Sequence, residues 1–447
     1  MAERPPPGHH AGRTPRFAVE VHHNEHLHRD ADELHAVVTV TSSAVPAPPA
    51  AAAGRPDTAV VVMVDCSGSM NYPPDKLAAA REATAAAVDA LPDGVAFALV
   101  RGTHRAAEIH PGGGRTATAT PAGRAAAKAA LASLTASGGT ALGSWLTLAD
   151  ALLAGSGARM RHAVLLTDGR NEHESPERLD AVLDHCAGRF TCDARGIGTD
   201  WEVAELRGIA SRLLGTADIV AEPAALAADF AAMIRAATGR GVSGVALRLW
   251  TPGGVEPVFV KQVAPAVADL TGRRADAGPG AGDYPTGSWG VESRDYHLCL
   301  RVPAGDVGQD LLAGRVSLVT HDPRGATVTL GTGDIRAVRT AASAARTAVN
   351  AHVAHYTGQS HLAAAIEEGL DLRHRGDERG ATARLGAAVR LAHRSGNAET
   401  ARLLAKVVDV EDAVSGTVRL KATVSDADEM TLATRSDRTV RTLRGTR

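Results

Sequence analysis

Neither sign of charge dominates this sequence: 48 Lys and Arg face 50 Asp and Glu, for a formal net charge of −2. With no long basic run either, a general binder of nucleic-acid phosphates is excluded. Long apolar runs are also missing. The start, MAERPPPGHHAGRTPRF, has no apolar core of signal-peptide length, and nowhere do 18 apolar residues follow one another, so a membrane partner is not expected and the chain reads as cytoplasmic. Cysteine is scarce, at 4 in 447 residues, which suits reduced thiols better than a disulfide framework. Cys186 and Cys192 are close enough for one bridge to be conceivable, but Cys192 sits in a strand-like run, TCDARGIG, and reads as packing. Aromatic residues are few, at 3%, while 44% apolar and 22% charged residues are ordinary for a globular protein. The abundant alanines carry little functional weight. A chain this long exceeds one core, so two or three domains are expected.

The hydropathy pattern divides the chain. Residues 1–16 are expected to be disordered, and 17–43 alternate apolar with polar residues as two strands around a turn at Arg29–Asp32, half a sheet lacking its partners. Residues 44–57 form a Pro/Ala linker. Over 58–238 strands and helices alternate, beginning with TAVVVMVD, and predict a doubly wound α/β domain of about five parallel strands plus an edge strand. The helix period then disappears. Residues 241–340 carry VSGVALRLWTP, VEPVFVKQV, SRDYHLCLRVP, GRVSLVTHD and ATVTLGTGDIRAV, short strands between Gly/Pro turns that suggest a β-sandwich. The strands at 17–42 could supply its missing members, which would insert the α/β domain into the sandwich. Residues 341–412 return to helix period as antiparallel hairpins somewhat like tetratricopeptide units. Residues 413–447 read as a C-terminal strand and a polar tail.

Three segments of the α/β region carry candidate chemistry. TAVVVMVD ends in Asp65-Cys66-Ser67-Gly68-Ser69, which puts one carboxylate and two hydroxyls on a single loop. Such hard oxygen donors suit Mg2+ or Ca2+. The strand HAVLLTD ends in Asp168, and Ser137-Gly138-Gly139-Thr140 precedes the intervening helix. Open α/β sheets bind ligands beyond the carboxyl ends of their strands, so the three loops should converge.

DCSGSM, GGT and LLTDG resemble the three parts of the metal-ion-dependent adhesion site of von Willebrand factor A domains. The resemblance covers 58–238. It implies Ser67, Ser69 and Thr140 as ligands, with Asp65 and Asp168 coordinating directly or through water. It also implies a Mg2+-dependent site, with Mn2+ or Ca2+ as substitutes, that binds an Asp or Glu of a protein partner. GTDW with YPTGSWG looks similar to an actinobacterial group of intracellular A-domain proteins.

Enzyme readings lack their motifs. Ser67 stands where a haloacid-dehalogenase-type phosphatase needs an aspartate, no GxxxxGK[ST] loop occurs, and neither Ser67 nor Ser69 lies in Gly-x-Ser-x-Gly. The chain is therefore expected not to be an enzyme. A protein-interaction scaffold is favoured, with a second protein at the helical end. The alternative is a non-catalytic accessory subunit of a multi-component enzyme, such as an AAA-type ATPase complex. The resemblance also implies that metal ligation is coupled to displacement of the last α/β helix, here about 224–238, which leads into the sandwich. His22, His23, His26, His28 and His35 suggest a metal cluster, but alternation splits them between strand faces and they read as solvated. Cys66 reads as packing within the loop, and Asn171, Glu172, His173 and Glu174 read as a partner-contacting rim or a solvated loop.

Overall fold

The computed structural model describes residues 16–44, 57–220, 222–322, 324–341 and 350–441. The expected disordered start and the Pro/Ala linker, apart from their end residues, lie outside the described residues, as does the end of the polar tail.

The chain begins with β1 (Arg16–His23), β2 (His26–His28) and β3 (Glu33–Ala44). The run FAVEVHHNEHLH, expected as one strand, divides: β1 pairs with β3, while β2 joins a different sheet beside the last long strand. A chain passing between two facing sheets has to bend at the corner.

The α/β domain follows. Its elements are β4 (Thr58–Asp65), α1 (Lys76–Ala90), β5 (Ala96–Gly102), β6 (Ala107–His110), β7 (Ala117–Thr118), α2 (Pro121–Ala132) and α3 (Leu142–Gly155). Then come β8 (Met160–Thr167), α4 (Pro176–Cys186), β9 (Thr191–Ile197), α5 (Val203–Arg212), β10 (Ala217–Val220) and α6 (Leu226–Thr238). Local chemistry starts several helices. Thr120 and Ser175 accept hydrogen bonds from the amides of Gly123 and Arg178, and a proline follows each cap at the first helical position, where its missing N–H costs nothing.

The strands run in the order β10-β9-β8-β4-β5-β6, parallel through β5 with β6 antiparallel at the edge. Both faces are covered, so β4 is buried at every position. Val61 and Met63 pack with Trp145 of α3 and Leu183 of α4, whereas Val60, Val62 and Val64 pack with Ala80 of α1 and Phe230 of α6. Each such Val or Met side chain stabilises the fold by about 1.5–3 kcal/mol. From β4 the chain goes to β5 on one side and later to β8 on the other. That reversal opens a crevice beyond the carboxyl ends of β4 and β8.

The flank comprises β11 (Val242–Trp250), β12 (Glu256–Ala264), β13 (Ala268–Asp269), β14 (Ala275–Asp276), β15 (Ala281–Trp289), β16 (Ser293–Arg301), β17 (Asp310–His321) and β18 (Thr327–Thr340). One sheet has the order β1-β3-β16-β12-β13 and the other β14-β15-β11-β17-β18-β2. Val38, Tyr296 and Leu298 of the first share one buried cluster with Leu247, Val316 and Ile335 of the second. β3 pairs with β16 from Glu33 opposite Arg301 to Thr41 opposite Ser293. Strands before and after the α/β domain are thus neighbours in one sheet. β15 was not among the expected strands because AGDYPTGSW carries Gly282, Pro285 and Gly287. Its neighbour β14 reaches only Gly282 and Asp283, so Pro285 lies on an edge where no N–H is needed.

The C-terminal part contains α7 (Ala351–His374), α8 (Glu378–Ser395), α9 (Ala398–Val407), β19 (Val408–Asp412), β20 (Thr417–Leu420) and α10 (Asp426–Arg435). Two expectations need correction. The helix expected to reach residue 412 stops at Val407, because VDVED alternates and pairs with TVRL as a hairpin. The segment 413–447, expected as strand and tail, holds α10. Ser425 caps it, Asp426, Asp428 and Glu429 fill its first turn, and Leu432 is buried against α9. The last residue of α10 and the chain after it then bind three parts of the molecule. Arg435 donates to Asp218 at 2.9 Å, the Val440 amide donates to Gln359 at 3.0 Å, and Arg441 grips Asp295 at 2.9 and 3.0 Å.

Candidate metal centre

Asp65 ends β4 and Thr167 ends the adjacent β8, so register alone brings their side chains together. Asp65 is fully buried. Its Oδ1 accepts from the Ser67 amide at 2.7 Å and its Oδ2 from the Thr167 hydroxyl at 2.5 Å. Burial first, then the nearby Asp168 charge, pushes its carboxyl up to about 6 against the pull of those donors. Ser67 Oγ and Ser69 Oγ lie 2.9 Å apart, and Ser69 Oγ donates to Asp168 Oδ1 at 2.7 Å.

The fifth predicted residue, Thr140, arrives from the loop before α3. A methyl group placed on Gly169 would lie 3.2 Å from Thr140 Oγ1, 3.3 Å from Ser69 Oγ and 3.8 Å from Ser67 Oγ. Three hydroxyls from two loops therefore surround one point that glycine leaves open, with two carboxylates behind it. The structure brings Asp65, Ser67, Ser69, Thr140 and Asp168 to one crevice. An all-oxygen cradle of this kind fits a hard divalent cation.

The glycines of the second loop are required by close approach. Gly138 has φ +82°, and a side chain there would press on His104 Nδ1 at 2.7 Å; at Gly139 it would overlap the His173 ring at 1.9 Å. The loop thus threads between two imidazoles. Backbone bonds lock it to the first loop, from the Gly68 amide to Gly138 O at 2.8 Å and from the Ser137 amide to Cys66 O at 2.7 Å. Cys66 itself is buried, and burial followed by the Asp65 charge pushes its thiol up to about 12. It is a packing residue rather than a reactive one.

Sequence reasoning missed Lys76. Its Nζ donates to Asp168 Oδ2 at 2.7 Å and lies 3.6 Å from Asp200, with only 5% of the side chain exposed. An ammonium thus neutralises much of one carboxylate from inside the domain. The only sequence signal was a lysine opening α1 directly after the first loop. The residues after Asp168 also differ from a plain rim. Asn171 accepts from the Leu142 amide at 2.8 Å and Glu174 from the Gly143 amide at 2.5 Å. They cap α3, whose own Ala141 offers no capping side chain. Glu172 and His173 remain exposed.

Of the five histidines His22, His23, His26, His28 and His35, four have separate partners. His22 stacks on His352, His23 meets the Arg336 backbone, His28 lies beside Asp30, and His35 bonds His297; His26 is exposed. All four cysteines are free and buried.

Residues 58–219 match the family described as von Willebrand factor type A domain, and residues 390–436 match the von Willebrand factor type A C-terminal domain. Among solved structures, a von Willebrand factor type A protein from Catenulispora acidiphila is 47% identical over 97% of this chain and 99% of its own, with a TM-score of 0.91. The ArnB paralog VWA2 from Sulfolobus acidocaldarius is 13% identical over 95% of this chain and 98% of its own, with a TM-score of 0.60. The second likeness is one of fold alone. No curated protein matches.

Proposed function

Since the chain belongs to the von Willebrand factor type A family, we propose that it is a Mg2+-dependent protein-interaction scaffold whose α/β crevice captures an acidic residue of a partner. The observation that carries this reading is the cradle of Thr140, Ser69 and Ser67 hydroxyls around the open point at Gly169. Ser67, Ser69 and Thr140 would hold the cation, with Asp65 and Asp168 acting directly or through water. Mn2+ offers similar geometry and could replace Mg2+, while the larger Ca2+ suits the tight cradle less well. When bound, the cation supplies a Lewis-acidic position at which a partner's Asp or Glu replaces a water.

Charge favours that capture. Neutral hydroxyl ligands do not offset the cation, and Lys76 offsets one of the two carboxylates, which leaves the loaded site positive toward an incoming anion. Thr167 and the Ser67 amide fix the Asp65 carboxyl, so little ordering remains to be done on binding. The role is binding rather than catalysis. Four free buried cysteines suit a reducing compartment, and we place the protein in the cytoplasm.

Affinity capture from a lysate of the native organism, with and without EDTA, tests the reading. A partner should be retained by the wild-type chain in Mg2+ and released by EDTA, and Asp65→Ala and Ser67→Ala should fail to capture it. If EDTA and both substitutions leave every captured protein bound, the metal-bridged reading is wrong.

A further inference from the structure

A second cluster of ligating groups lies on the outer face of the sheet β1-β3-β16-β12-β13, remote in the fold from the crevice. Glu33 and His35 are two residues apart on β3, so both point to one face, and Cys299 on β16 stands directly opposite His35. A carboxylate oxygen of Glu33, a ring nitrogen of His35 and the Cys299 sulfur all lie within 4.8 Å of one another. His35 Nε2 is 3.7 Å from Glu33 Oε2 and 3.9 Å from Cys299 Sγ. Tetrahedral zinc bonds of about 2.0 Å to nitrogen or oxygen and about 2.3 Å to sulfur separate neighbouring ligands by about 3.3–3.5 Å. These two pairs need to close by only a few tenths of an ångström.

The surroundings orient the imidazole as a ligand. His35 Nδ1 lies 3.2 Å from Nε2 of the buried His297. With the Nδ1 proton donated there, the Nε2 lone pair is free and faces Cys299 and Glu33, the second-sphere arrangement that fixes a metal-binding histidine. Phe259, opposite Cys299 on β12, meets His297 edge to face at 5.0 Å and lies 6.0 Å from His35. It walls one side with apolar surface.

We propose that Glu33, His35 and Cys299 form a site for Zn2+ or a cation of similar softness, with a fourth position open to water or a partner's ligand. One nitrogen, one sulfur and one oxygen donor select this class over Mg2+, which prefers oxygen alone. Binding would expel the Cys299 thiol proton to solvent and leave a thiolate ligand.

The test uses the full chain carrying Asp65→Ala, so that the hydroxyl cradle contributes nothing, stripped of metal and titrated with Co2+ as a spectroscopic stand-in. One equivalent should produce a thiolate-to-cobalt charge-transfer band and tetrahedral visible absorption, both removed by one equivalent of Zn2+. Cys299→Ser should abolish the band and weaken Zn2+ binding at least about tenfold, and Glu33→Gln should weaken it about tenfold with the band retained. Absence of the band, or its persistence in Cys299→Ser, overturns the site. If Cys299→Ser loses its circular dichroism, the exposed Glu33→Gln decides: unchanged Zn2+ affinity in that folded variant overturns the site as well.

Discussion

Lys76→Met removes the ammonium from Asp168 while keeping most of the side chain's volume, and it should affect metal and partner in opposite directions. Both groups of the pair are almost wholly buried, at 5% and 0% side-chain exposure, and they are 2.7 Å apart. Removing one partner from such a pair costs about 3–5 kcal/mol, because the other charge is left buried without compensation. For an α/β domain of this size each kcal/mol moves the unfolding midpoint by about 2–4 °C. Calorimetry in EDTA should therefore show the metal-free variant unfolding roughly 10 °C below wild type. Mg2+ would restore the missing positive charge and much of that stability. Every 1.4 kcal/mol recovered tightens metal binding about tenfold, so recovery of about 3 kcal/mol predicts roughly hundredfold tighter Mg2+. The loaded site would also be less positive, and capture of an acidic partner should weaken. A metal-free variant as stable as wild type, or one that binds Mg2+ no more tightly, would refute the role assigned to Lys76.

Gly169→Ala should leave the fold intact, since the nearest atoms around its methyl are hydroxyls at 3.2–3.8 Å rather than backbone. The methyl occupies the cradle, so calorimetric titration with Mg2+ or Mn2+ should show about a ten- to hundredfold loss of affinity, the scale on which disturbing the groups around a metal acts; unchanged affinity would move the cation elsewhere. At the C-terminal segment, burial pushes the Asp218 carboxyl up, but the Arg435 hydrogen bond and the charges of Arg438 and Arg435 outweigh it, leaving it below its ordinary 3.8. A depressed carboxylate contributes stability that is fully present above the unfolded value and is lost as pH falls through the folded one. Protection of residues 426–441 against hydrogen exchange, taken relative to the intrinsic exchange rate at each pH, should thus be high at pH 5–7 and fall below about pH 4. Asp218→Asn should loosen the same residues at neutral pH by about 1–2 kcal/mol, a figure held down by the partial exposure of both arginines. Equal exchange in variant and wild type would mean that other contacts hold the segment.

The candidate site was legible because its residues sit at points that local patterning marks. A Val-rich run has to be a buried strand, its terminal aspartate has to lie at the strand's carboxyl end, and parallel neighbours place Asp65 and Asp168 side by side. The glycines of GGT marked a tight loop, though not the reason for it, which is the pair of imidazoles from His104 and His173. Where the reading failed, a neighbour overrode the local signal. Pro285 argued against a strand until β14 proved too short to need its amide. Val408 and Val410 continued a helical pattern until TVRL offered a pairing partner, and the polar residues after Ser425 became a helix because Leu432 found a core to enter.

The order of strands and helices, the two aspartates at strand ends and the hydroxyls on their loops were thus determined by the sequence itself, through periodicities and turn residues that act over a few positions. Only the tertiary structure decided what meets those groups from afar. Lys76 reaches Asp168 across 92 positions, Glu174 caps a helix through an amide 31 residues earlier, and Cys299 faces His35 across 264. Such meetings depend on chain reversal and sheet order, which are set by the burial of whole faces and leave no trace in the spacing of the residues they bring together.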